Sequence, residues 1–474
     1  MYNELYETLS KHNQEHLLLF WDQLNSAQKD KLADQIRNIN WDQLDELIKE
    51  YVIKKPETKI PVDLKPADYY PMNPDAEEYK KLYIEAENKG KKLVSESKIA
   101  AFTVAGGQGT RLGFDGPKGT YPITPIKGKT LFQYFAETIK RASEKYDAEI
   151  PWYIMTSKLN NDETVNFFKA NDYFNLSKKN VMFFQQGTMP VIDRNGKVLL
   201  DEKDSIALSP DGHGGSLLAL KKSGALDDMG KRGIEYISYF QVDNPLVSII
   251  NPLFIGLHSF TTSEMSAIML AKTGPYEKLG NFCAAEGRTV IIEYSDMPDE
   301  LVEKTDNEGN LCFISGSPAI HIISVDFVDK LTAKLVIDLP WHRADKKVSY
   351  IDSSGKHVIP EDVNAVKLES FIFDSLPLAS KTMILEAGRE DEFAPTKNKK
   401  GVDSVDSCRE MLVEKDCKRL EKYTAIKLPK NADGNYDIVI ELSPLSFIDG
   451  EDIKNNENRL NKINFSKNQK VYVE

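Results

Sequence analysis

A buried strand that runs directly into a glycine-rich loop is the feature that most restricts the fold of this chain. Residues 99–105 form a short apolar run, which is typical of a buried strand in a parallel sheet. Glycines follow at positions 106, 107, 109 and 113, and they let the backbone approach a ligand closely. Arg111 and Lys118 add positive charge beside N–H groups that can form a nest for phosphate oxygens. The pattern predicts an anion site, with a nucleoside triphosphate as the expected ligand.

Two commoner glycine motifs do not fit this loop. A dinucleotide-binding fingerprint needs G-x-G-x-x-G, and Leu112 stands where the third glycine is required. A Walker A loop ends in G-K-[ST], whereas Lys118 lies between Pro117 and Gly119. A tight turn that binds nothing is the remaining alternative. Arginine and lysine in the same short stretch favour the anion site over that alternative.

Strand and helix patterns alternate along the middle of the chain. This alternation predicts an α/β fold with a mainly parallel sheet and helices on both faces. Ligands of such sheets bind at the carboxyl ends of the strands. The glycine loop, Gln186, Asp243 and Lys272 all follow predicted strand ends, so we expect them to share one crevice. Strands are predicted over 152–156, 181–185, 234–242, 265–271, 289–294, 320–325 and 382–386, and helices over 131–146, 162–169, 214–223, 252–260, 326–333, 364–376 and 404–423.

The two ends of the chain differ from this middle part. Three short amphipathic helices are predicted over residues 1–52, two of them capped by Ser26 and Asn40. Prolines recur over 53–74 as in an extended linker. A charged helix over 75–97 follows. Strands over 437–442 and 470–473 indicate a small α+β unit at the end. We therefore predict an N-terminal helical region with its linker (1–97), a catalytic domain (98–400) and a small C-terminal domain (401–474).

Charge and cysteine content narrow the class of protein. The net charge is −12, and the basic residues are not pooled in one segment, which argues against nucleic acid as a partner. No apolar run approaches the length of a membrane span, and Met1 opens no leader sequence, so we expect no membrane association. The four cysteines show no C-x-x-C spacing and are interpreted as reduced thiols of a cytoplasmic protein.

Several long motifs carry a resemblance to a known family. The stretch A-G-G-Q-G-T-R-L-G-x-x-x-P-K-G, beginning at Ala105, resembles the signature of the UDP-N-acetylglucosamine pyrophosphorylases, the eukaryotic-type UDP-sugar uridylyltransferases. R-E-D-E-F-x-P-x-K-N from Arg389 and E-L-S-P-L from Glu441 extend the resemblance to nearly the whole chain. It implies a Rossmann-like, GT-A-like nucleotidyltransferase that converts UTP and a hexose 1-phosphate into UDP-sugar and pyrophosphate. The implied cofactor is Mg²⁺, with Mn²⁺ as a substitute.

The resemblance also implies which residues bind the nucleotide. Gln186 lies in a Q-Q-G motif; its amide can pair with a uracil edge, although a polar turn is the simpler alternative. Asp243 lies in a V-D-N motif at a strand end; it can hold a metal ion or cap the next element. By family match Asp243 binds metal and nucleotide. The other nucleotide and phosphate residues implied are Gly106, Gly107, Lys118, Gly212, Lys367 and Lys397.

The sugar side of the implied site departs from the family pattern. Gly280, Glu293 and Tyr294 match family positions around the sugar. His213 and Ser317 stand where the family has two asparagines that contact the sugar. The resemblance therefore favours N-acetylglucosamine 1-phosphate as the acceptor and keeps glucose 1-phosphate as the alternative.

The expected reaction needs no covalent protein intermediate. The sugar-phosphate oxygen attacks the α-phosphorus in line, and catalysis consists of positioning and electrostatic stabilisation. Arg111, Lys118 and Lys397 are expected to neutralise phosphate charge while Asp243 holds the metal. A sugar-nucleotide sensor without activity and a Rossmann oxidoreductase are the alternatives. The broken fingerprint disfavours the oxidoreductase.

Overall fold

The described part of the chain divides into two compact units. The computed structural model describes residues 1–55 and 60–474, so Pro56 of the predicted linker lies outside the described residues. The first unit comprises Met1–Ile60, Gln186–Ser216 and Asp338–Ser375. The second unit comprises Pro61–Gln185, Leu217–Ile337 and Leu376–Glu474. The three-domain boundaries at 97/98 and 400/401 stay a prediction.

A large sheet forms the centre of the second unit. Within the described residues it has eleven strands. Four of them lie side by side and parallel in the order Tyr236–Gln241, Ile99–Val104, Trp152–Thr156 and Val181–Gln185. This confirms the α/β fold with a mainly parallel centre. The sheet also contains Lys65–Pro66, Met265–Ala271, Gly280–Ala285, Arg288–Ile292, Ser315–Ser317, His321–Ser324 and Thr382–Ala387.

Helices flank this sheet, and two of them have the predicted bounds. The helix Leu131–Tyr146 begins where the Thr130 side chain accepts the N–H of Gln133, and its Phe135 and Ile139 side chains are fully buried. Pro252–Phe260 also matches its prediction. The remaining helices outside the first unit are Glu77–Ser95, Asn161–Ala170, Ser216–Lys222, Ala225–Arg232, Asp299–Val302, Val325–Thr332, Arg389–Glu392, Val405–Tyr423, Gly450–Asn455 and Glu457–Leu460. The predicted C-terminal strands are Ile438–Leu442 and Gln469–Val473, which pair in parallel.

The first unit combines short helices with small sheets. Asn25, not Ser26, caps the second helix, because the Asn25 side chain accepts the backbone N–H of Gln28 and the Gln28 side-chain oxygen accepts the backbone N–H of Asn25. Asn40 caps the third helix as predicted. The helices are Tyr2–Lys11, Ser26–Arg37 and Trp41–Leu47, and the strands are Thr188–Pro190, Ile192–Asp193, Leu200–Glu202, Ser205–Ile206, Leu208–Pro210, His342–Lys346, Tyr350–Ile351, His357–Val358 and Ala365–Glu369.

The predicted helix over 364–376 is wrong. Residues Ala365–Glu369 form a strand that pairs with His342–Lys346 on one side and Ile192–Asp193 on the other, and a 3₁₀ segment, Ile372–Leu378, follows. Val366 and Leu368 are fully buried. Pairing with two distant strands satisfies this backbone, and Pro377 cannot donate inside a longer helix.

No helix among residues 1–55 and 60–474 has the length and apolarity that a bilayer span requires. The four cysteines are free thiols, and Cys283, Cys408 and Cys417 are buried.

Candidate functional site

The glycine-rich loop folds back on itself at the end of Ile99–Val104. The N–H of Lys118 donates to the carbonyl of Gly107 at 3.1 Å, and the N–H of Gly109 donates to the carbonyl of Gly116 at 2.9 Å. A Cβ on Gly119 would lie 2.1 Å from the Phe132 ring, so this position requires glycine. Arg111 is exposed on a short 3₁₀ turn of the same loop. The fold thus brings Gly106, Gly107, Arg111 and Lys118 into one loop.

Lys118 and Asp243 form an ion pair between two neighbouring strand ends. The Lys118 Nζ lies 3.2 Å from the Asp243 Oδ2, and the two side chains are only 9% and 15% exposed. Lys118 of the glycine loop and Asp243 are 125 residues apart in the sequence. Their strands, Ile99–Val104 and Tyr236–Gln241, are parallel neighbours, so both ends reach the same edge of the sheet.

The loop that carries Lys397 is attached to the same strand end. The N–H of Thr396 donates to the carbonyl of Asp243 at 2.8 Å. Asn244 is 3% exposed; its amide donates to the carbonyl of Glu392 at 2.7 Å and accepts the N–H of Ala394 at 2.9 Å. Lys397 itself lies 3.8 Å from an Asp403 carboxylate and is 38% exposed. The fold therefore holds the Lys397 backbone beside Asp243 and leaves its side chain accessible.

Two asparagines position these loops, and sequence reasoning gave neither a role. Asn244 was noted only as the neighbour of Asp243. Asn160 is fully buried, and its amide donates to the carbonyls of Ala105 at 2.9 Å and Gly107 at 3.3 Å. Asn160 lies four residues after the end of the strand Trp152–Thr156. This position is the one sequence feature that indicates that Asn160 lies near the carboxyl edge of the sheet.

Three of the predicted sugar residues lie on or directly after strands of the large sheet in the second unit. Gly280 is the direct partner of Ser317 in an antiparallel pair. A Cβ on Gly280 would lie 3.3 Å from the Glu293 Oε1, so that carboxylate faces the same spot. The strand that precedes Glu293 ends at Ile292 instead of the predicted Tyr294. The Tyr294 side chain is 46% exposed. Gly280, Glu293 and Ser317 therefore form one cluster, with Tyr294 adjoining it in sequence.

Lys272 is a buried cation close to this cluster. It is 6% exposed, and its Nζ donates to the amide oxygen of Asn281 at 2.5 Å. Burial lowers the pKa of the Lys272 ammonium from its usual value. Asn281 neighbours Gly280 in sequence and pairs with Gly316 across the strands. Asn281 is a second positioning residue that the sequence did not reveal.

The strand directions bring both groups to one edge of the sheet. His321–Ser324 is antiparallel to both Tyr236–Gln241 and Met265–Ala271, so these two strands point the same way. Asp243 and Lys272 follow the carboxyl ends of these strands, as the glycine loop follows the carboxyl end of Ile99–Val104. The predicted edge arrangement is therefore present in the second unit.

The first unit groups a separate set of predicted residues. Gly212 has φ +85°, and a Cβ there would lie 2.3 Å from the carbonyl oxygen of Ser370. Gln186 precedes Gly187, whose carbonyl accepts the N–H of Asp211 at 3.2 Å. Lys367, half-buried on its strand, lies three residues before Ser370. Gln186, Gly212, His213 and Lys367 thus belong to one unit, and a crevice shared by Gln186 and Asp243 stays a prediction.

His213 is held as a neutral side chain. Its Nδ1 accepts the N–H of Ile372 at 3.2 Å, and its ring stacks on Phe371 with centroids 5.1 Å apart. Burial lowers the pKa of His213 to about 4. With Nδ1 occupied as an acceptor, the proton lies on Nε2. His213 therefore offers a hydrogen-bond donor where the family asparagine offers both a donor and an acceptor.

A metal ion at Asp243 would need ligands from the substrate. Within residues 1–55 and 60–474, no three His, Cys, Asp or Glu side chains form a group able to hold an ion. Mg²⁺ is commonly bound by one or two carboxylates together with substrate phosphates and water. The lone Asp243 carboxylate beside a phosphate-type loop fits that mode of binding.

Comparisons with known proteins identify the family of this chain. Residues 5–471 match the family described as UTP–glucose-1-phosphate uridylyltransferase. The UDP-N-acetylglucosamine pyrophosphorylase of Saccharomyces cerevisiae is 34% identical over 409 residues, covering 84% of this chain and 83% of that protein. UDP-N-acetylglucosamine diphosphorylase 2 of Arabidopsis thaliana is 32% identical over 470 residues, covering 95% of this chain and 90% of that protein.

A solved structure supports the fold independently. The uridine diphosphate N-acetylglucosamine pyrophosphorylase of Trypanosoma brucei, crystallised with an inhibitor, aligns with a TM-score of 0.83. The alignment covers 100% of this chain and 98% of that one at 24% identity. The chain therefore belongs to the UTP–glucose-1-phosphate uridylyltransferase family, a family of UDP-sugar pyrophosphorylases.

Proposed function

We propose that this chain is a uridylyltransferase that makes UDP-sugar and pyrophosphate from UTP and a hexose 1-phosphate, with N-acetylglucosamine 1-phosphate as the favoured acceptor. The observation that carries the proposal is the Lys118–Asp243 ion pair, at 3.2 Å, between the glycine loop and a neighbouring strand end. The yeast and Arabidopsis relatives, which match most of the chain, are named for UDP-N-acetylglucosamine, and this supports the choice of sugar.

The residues of the second unit suit an in-line displacement at the α-phosphorus. The loop N–H groups and the Lys118 ammonium hold the phosphates of UTP, and Arg111 adds charge from the exposed side of the loop. Lys397 approaches from the loop attached to Asp243 and balances charge that develops on the leaving pyrophosphate. The sugar-phosphate oxygen forms the new bond to phosphorus while the bond to the pyrophosphate oxygen breaks, so the reaction needs no covalent protein intermediate.

UDP-sugar pyrophosphorylases generally use a divalent metal. We propose that Mg²⁺ fills this role here and that Asp243 is its protein ligand. When bound, such an ion supplies Lewis-acid polarisation of the phosphate oxygens. Lys118 holds the Asp243 carboxylate in place, because its Nζ lies 3.2 Å from the Asp243 Oδ2.

Each unit carries its own set of proposed recognition residues, and the second unit carries the first set. Glu293 accepts hydrogen bonds from sugar hydroxyls, and Ser317 with Gly280 forms the adjoining surface. In the first unit, Gln186 reads the uracil edge, Lys367 contacts a phosphate, and His213 donates from Nε2 to the sugar. A donor suits the carbonyl oxygen of an N-acetyl group, which supports N-acetylglucosamine 1-phosphate over glucose 1-phosphate.

Pyrophosphate release with UTP and Mg²⁺ tests the function directly. Three acceptors are compared: N-acetylglucosamine 1-phosphate, N-acetylgalactosamine 1-phosphate and glucose 1-phosphate. The proposal expects release to be fastest with N-acetylglucosamine 1-phosphate. Preference for glucose 1-phosphate would overturn the assignment of the sugar. UTP binding without release from any acceptor would favour a sugar-nucleotide sensor, and nicotinamide cofactor binding would favour an oxidoreductase.

We also propose that the protein works in the cytoplasm. The four thiols are free, and three of them are buried, as expected in a reducing compartment. Fluorescence microscopy of the tagged chain tests this proposal.

A further inference from the structure

A cavity lies in the second unit beside the long helix Val405–Tyr423. Its volume is about 210 Å³, and its walls come from that helix, from the helix Leu131–Tyr146 and from the segment that follows Asp243. Nothing in the proposed reaction uses it. The polar side chains that line it and carry the argument are Tyr134, Thr138, Ser248, Asn251, Lys415 and Arg419.

Two cations one helical turn apart dominate the wall. Lys415 Nζ donates to the carbonyls of Leu246 at 2.7 Å and Asp391 at 2.5 Å. One terminal nitrogen of Arg419 donates to the carbonyl of Phe447 at 3.3 Å, and the other lies 3.5 Å from an Asp416 carboxylate. A guanidinium has five N–H donors in a fork, so these two long contacts leave Arg419 able to bind an anion.

Three neighbouring carboxylates have partners of their own. Asp449 lines the cavity but is paired with Lys145 at 2.6 Å. Glu392 accepts the N–H of Ser248 at 2.8 Å, and burial raises its pKa. Burial also raises the pKa of Asp416, to about 6. Burial also lowers the pKa of the Lys415 ammonium. The Arg419 guanidinium stays charged, faces the Asp416 carboxylate with one terminal nitrogen and keeps further N–H donors for a second anion.

The size of the cavity selects the class of ligand. A volume of about 210 Å³ equals the share of about seven waters in the liquid, since one water occupies roughly 30 Å³. That is enough for a phosphate group with a small organic part and too little for a whole nucleotide. Hydroxyl and amide groups from Tyr134, Thr138 and Asn251 line the walls and suit the hydroxyls of a sugar.

The cavity is physically connected to the proposed catalytic loops. Leu246 follows Asp243 by three residues, and Asp391 belongs to the segment that leads to Lys397. Lys415 holds the carbonyls of both segments with one ammonium group. An anion that binds Lys415 competes with these two carbonyls, so its binding loosens the attachment of both segments.

We propose that this cavity is a regulatory site for a small phosphate monoester, which engages Arg419 and Lys415 and lowers turnover by releasing the segments that hold Asp243 and Lys397. The regulatory part rests on the proposed function, whereas binding at the cavity does not. The inhibition is noncompetitive, because the cavity lies outside the proposed substrate site. The expected effect is a severalfold fall in kcat with KM for the sugar 1-phosphate unchanged.

Isothermal titration calorimetry with glucose 6-phosphate tests the site without any measurement of turnover. This probe carries its phosphate on C6, and saturating UDP-N-acetylglucosamine occupies the proposed substrate site during the titration. One equivalent is expected to bind the wild-type protein. Arg419→Gln is expected to weaken binding at least tenfold, whereas Lys422→Gln, the same charge change at an exposed position on the same helix, leaves it unchanged.

A second variant covers the case in which Arg419→Gln does not fold. Arg419→Lys keeps the positive charge but loses the forked N–H donors of the guanidinium. We therefore expect Arg419→Lys to bind glucose 6-phosphate more weakly than the wild type and more tightly than Arg419→Gln. Absence of binding to the wild type, or equal binding to the wild type and to folded Arg419 variants, overturns the proposed site. Binding without any fall in kcat in the pyrophosphate assay overturns the regulatory role. Failure of the proposed function appears separately, as absence of pyrophosphate release without the probe.

Discussion

Separating the structural and catalytic roles of the Lys118–Asp243 pair is the most informative perturbation of this site. Asp243→Asn removes the charge and keeps the shape, but it leaves the Lys118 ammonium, 9% exposed, without its carboxylate. Breaking a fully buried pair costs about 3–5 kcal/mol in the free energy of unfolding. Water reaches part of this pair, so we expect a loss of about 2–3 kcal/mol for either single variant.

The double variant distinguishes the pair from two independent residues. Lys118→Met combined with Asp243→Asn leaves no uncompensated charge. Its loss of stability should therefore be smaller than the sum of the single losses by about 1–2 kcal/mol. Turnover behaves differently, because the double variant lacks both groups that bind phosphate and metal. We expect pyrophosphate release to fall at least a hundredfold in all three variants, with no recovery in the double variant.

Urea unfolding followed by circular dichroism measures the stability losses, and pyrophosphate release measures turnover. Lys221 and Asp329 provide a matched control, since their ends lie 2.7 Å apart on the surface of the same unit. The corresponding cycle, Lys221→Met with Asp329→Asn, is expected to show no coupling and normal turnover. Strictly additive stability losses at Lys118 and Asp243 would refute the electrostatic reasoning. Normal turnover in Asp243→Asn would remove this carboxylate from the mechanism.

Three further predictions concern single side chains. Lys397→Ala should lower kcat at least a hundredfold and leave the free energy of unfolding nearly unchanged, because the side chain is 38% exposed. Lys400→Ala, at an exposed position nearby, is the control. Equal turnover in the two variants would contradict a catalytic role for Lys397. His213→Asn should raise the ratio of kcat/KM for N-acetylglucosamine 1-phosphate to that for glucose 1-phosphate, because asparagine restores an acceptor; an unchanged ratio would show that His213 does not contact the sugar. Burial lowers the pKa of His258 to about 3, so the unfolded chain binds the extra proton first. Stability is therefore lost as the pH falls from 6.5 towards 3, by up to about 5 kcal/mol. Urea unfolding at pH 7 and pH 5 measures that loss, and a His258→Asn variant with an equally steep fall would contradict it.

The elements with clear local patterns were predicted well. The strand Trp152–Thr156 and the helix Leu131–Tyr146 have the predicted bounds, because continuous apolar runs and helical spacing are set by neighbouring residues. The error over 364–376 has the opposite cause. Val366 and Leu368 alternate with half-buried residues, and the strand exists because two distant strands supply its hydrogen-bond partners.

The same distinction applies to the candidate site. Asp243 and Lys118 were both proposed from motifs, but their pairing at 3.2 Å depends on the parallel neighbourhood of two strands far apart in sequence. The roles of Asn160 and Asn244 were missed because their partners are main-chain carbonyls and N–H groups of distant loops. Asparagine in a loop is common, and its local sequence does not identify such partners.

The amino-acid sequence by itself determined the glycine-rich loop, the α/β class and the family, because those depend on local periodicity and on a long run of specific residues. Only the tertiary structure decided that Lys118 pairs with Asp243 and that Gly280 lies opposite Ser317. It also decided that the loop with Lys397 is attached to Asp243, through the N–H of Thr396. Finally, it decided that His213 is neutral and accepts the N–H of Ile372 at Nδ1. The physical reason is that ion pairs, hydrogen bonds and burial are set by the groups that arrive from distant parts of the chain, and these are fixed only when the strands take their order in the sheet.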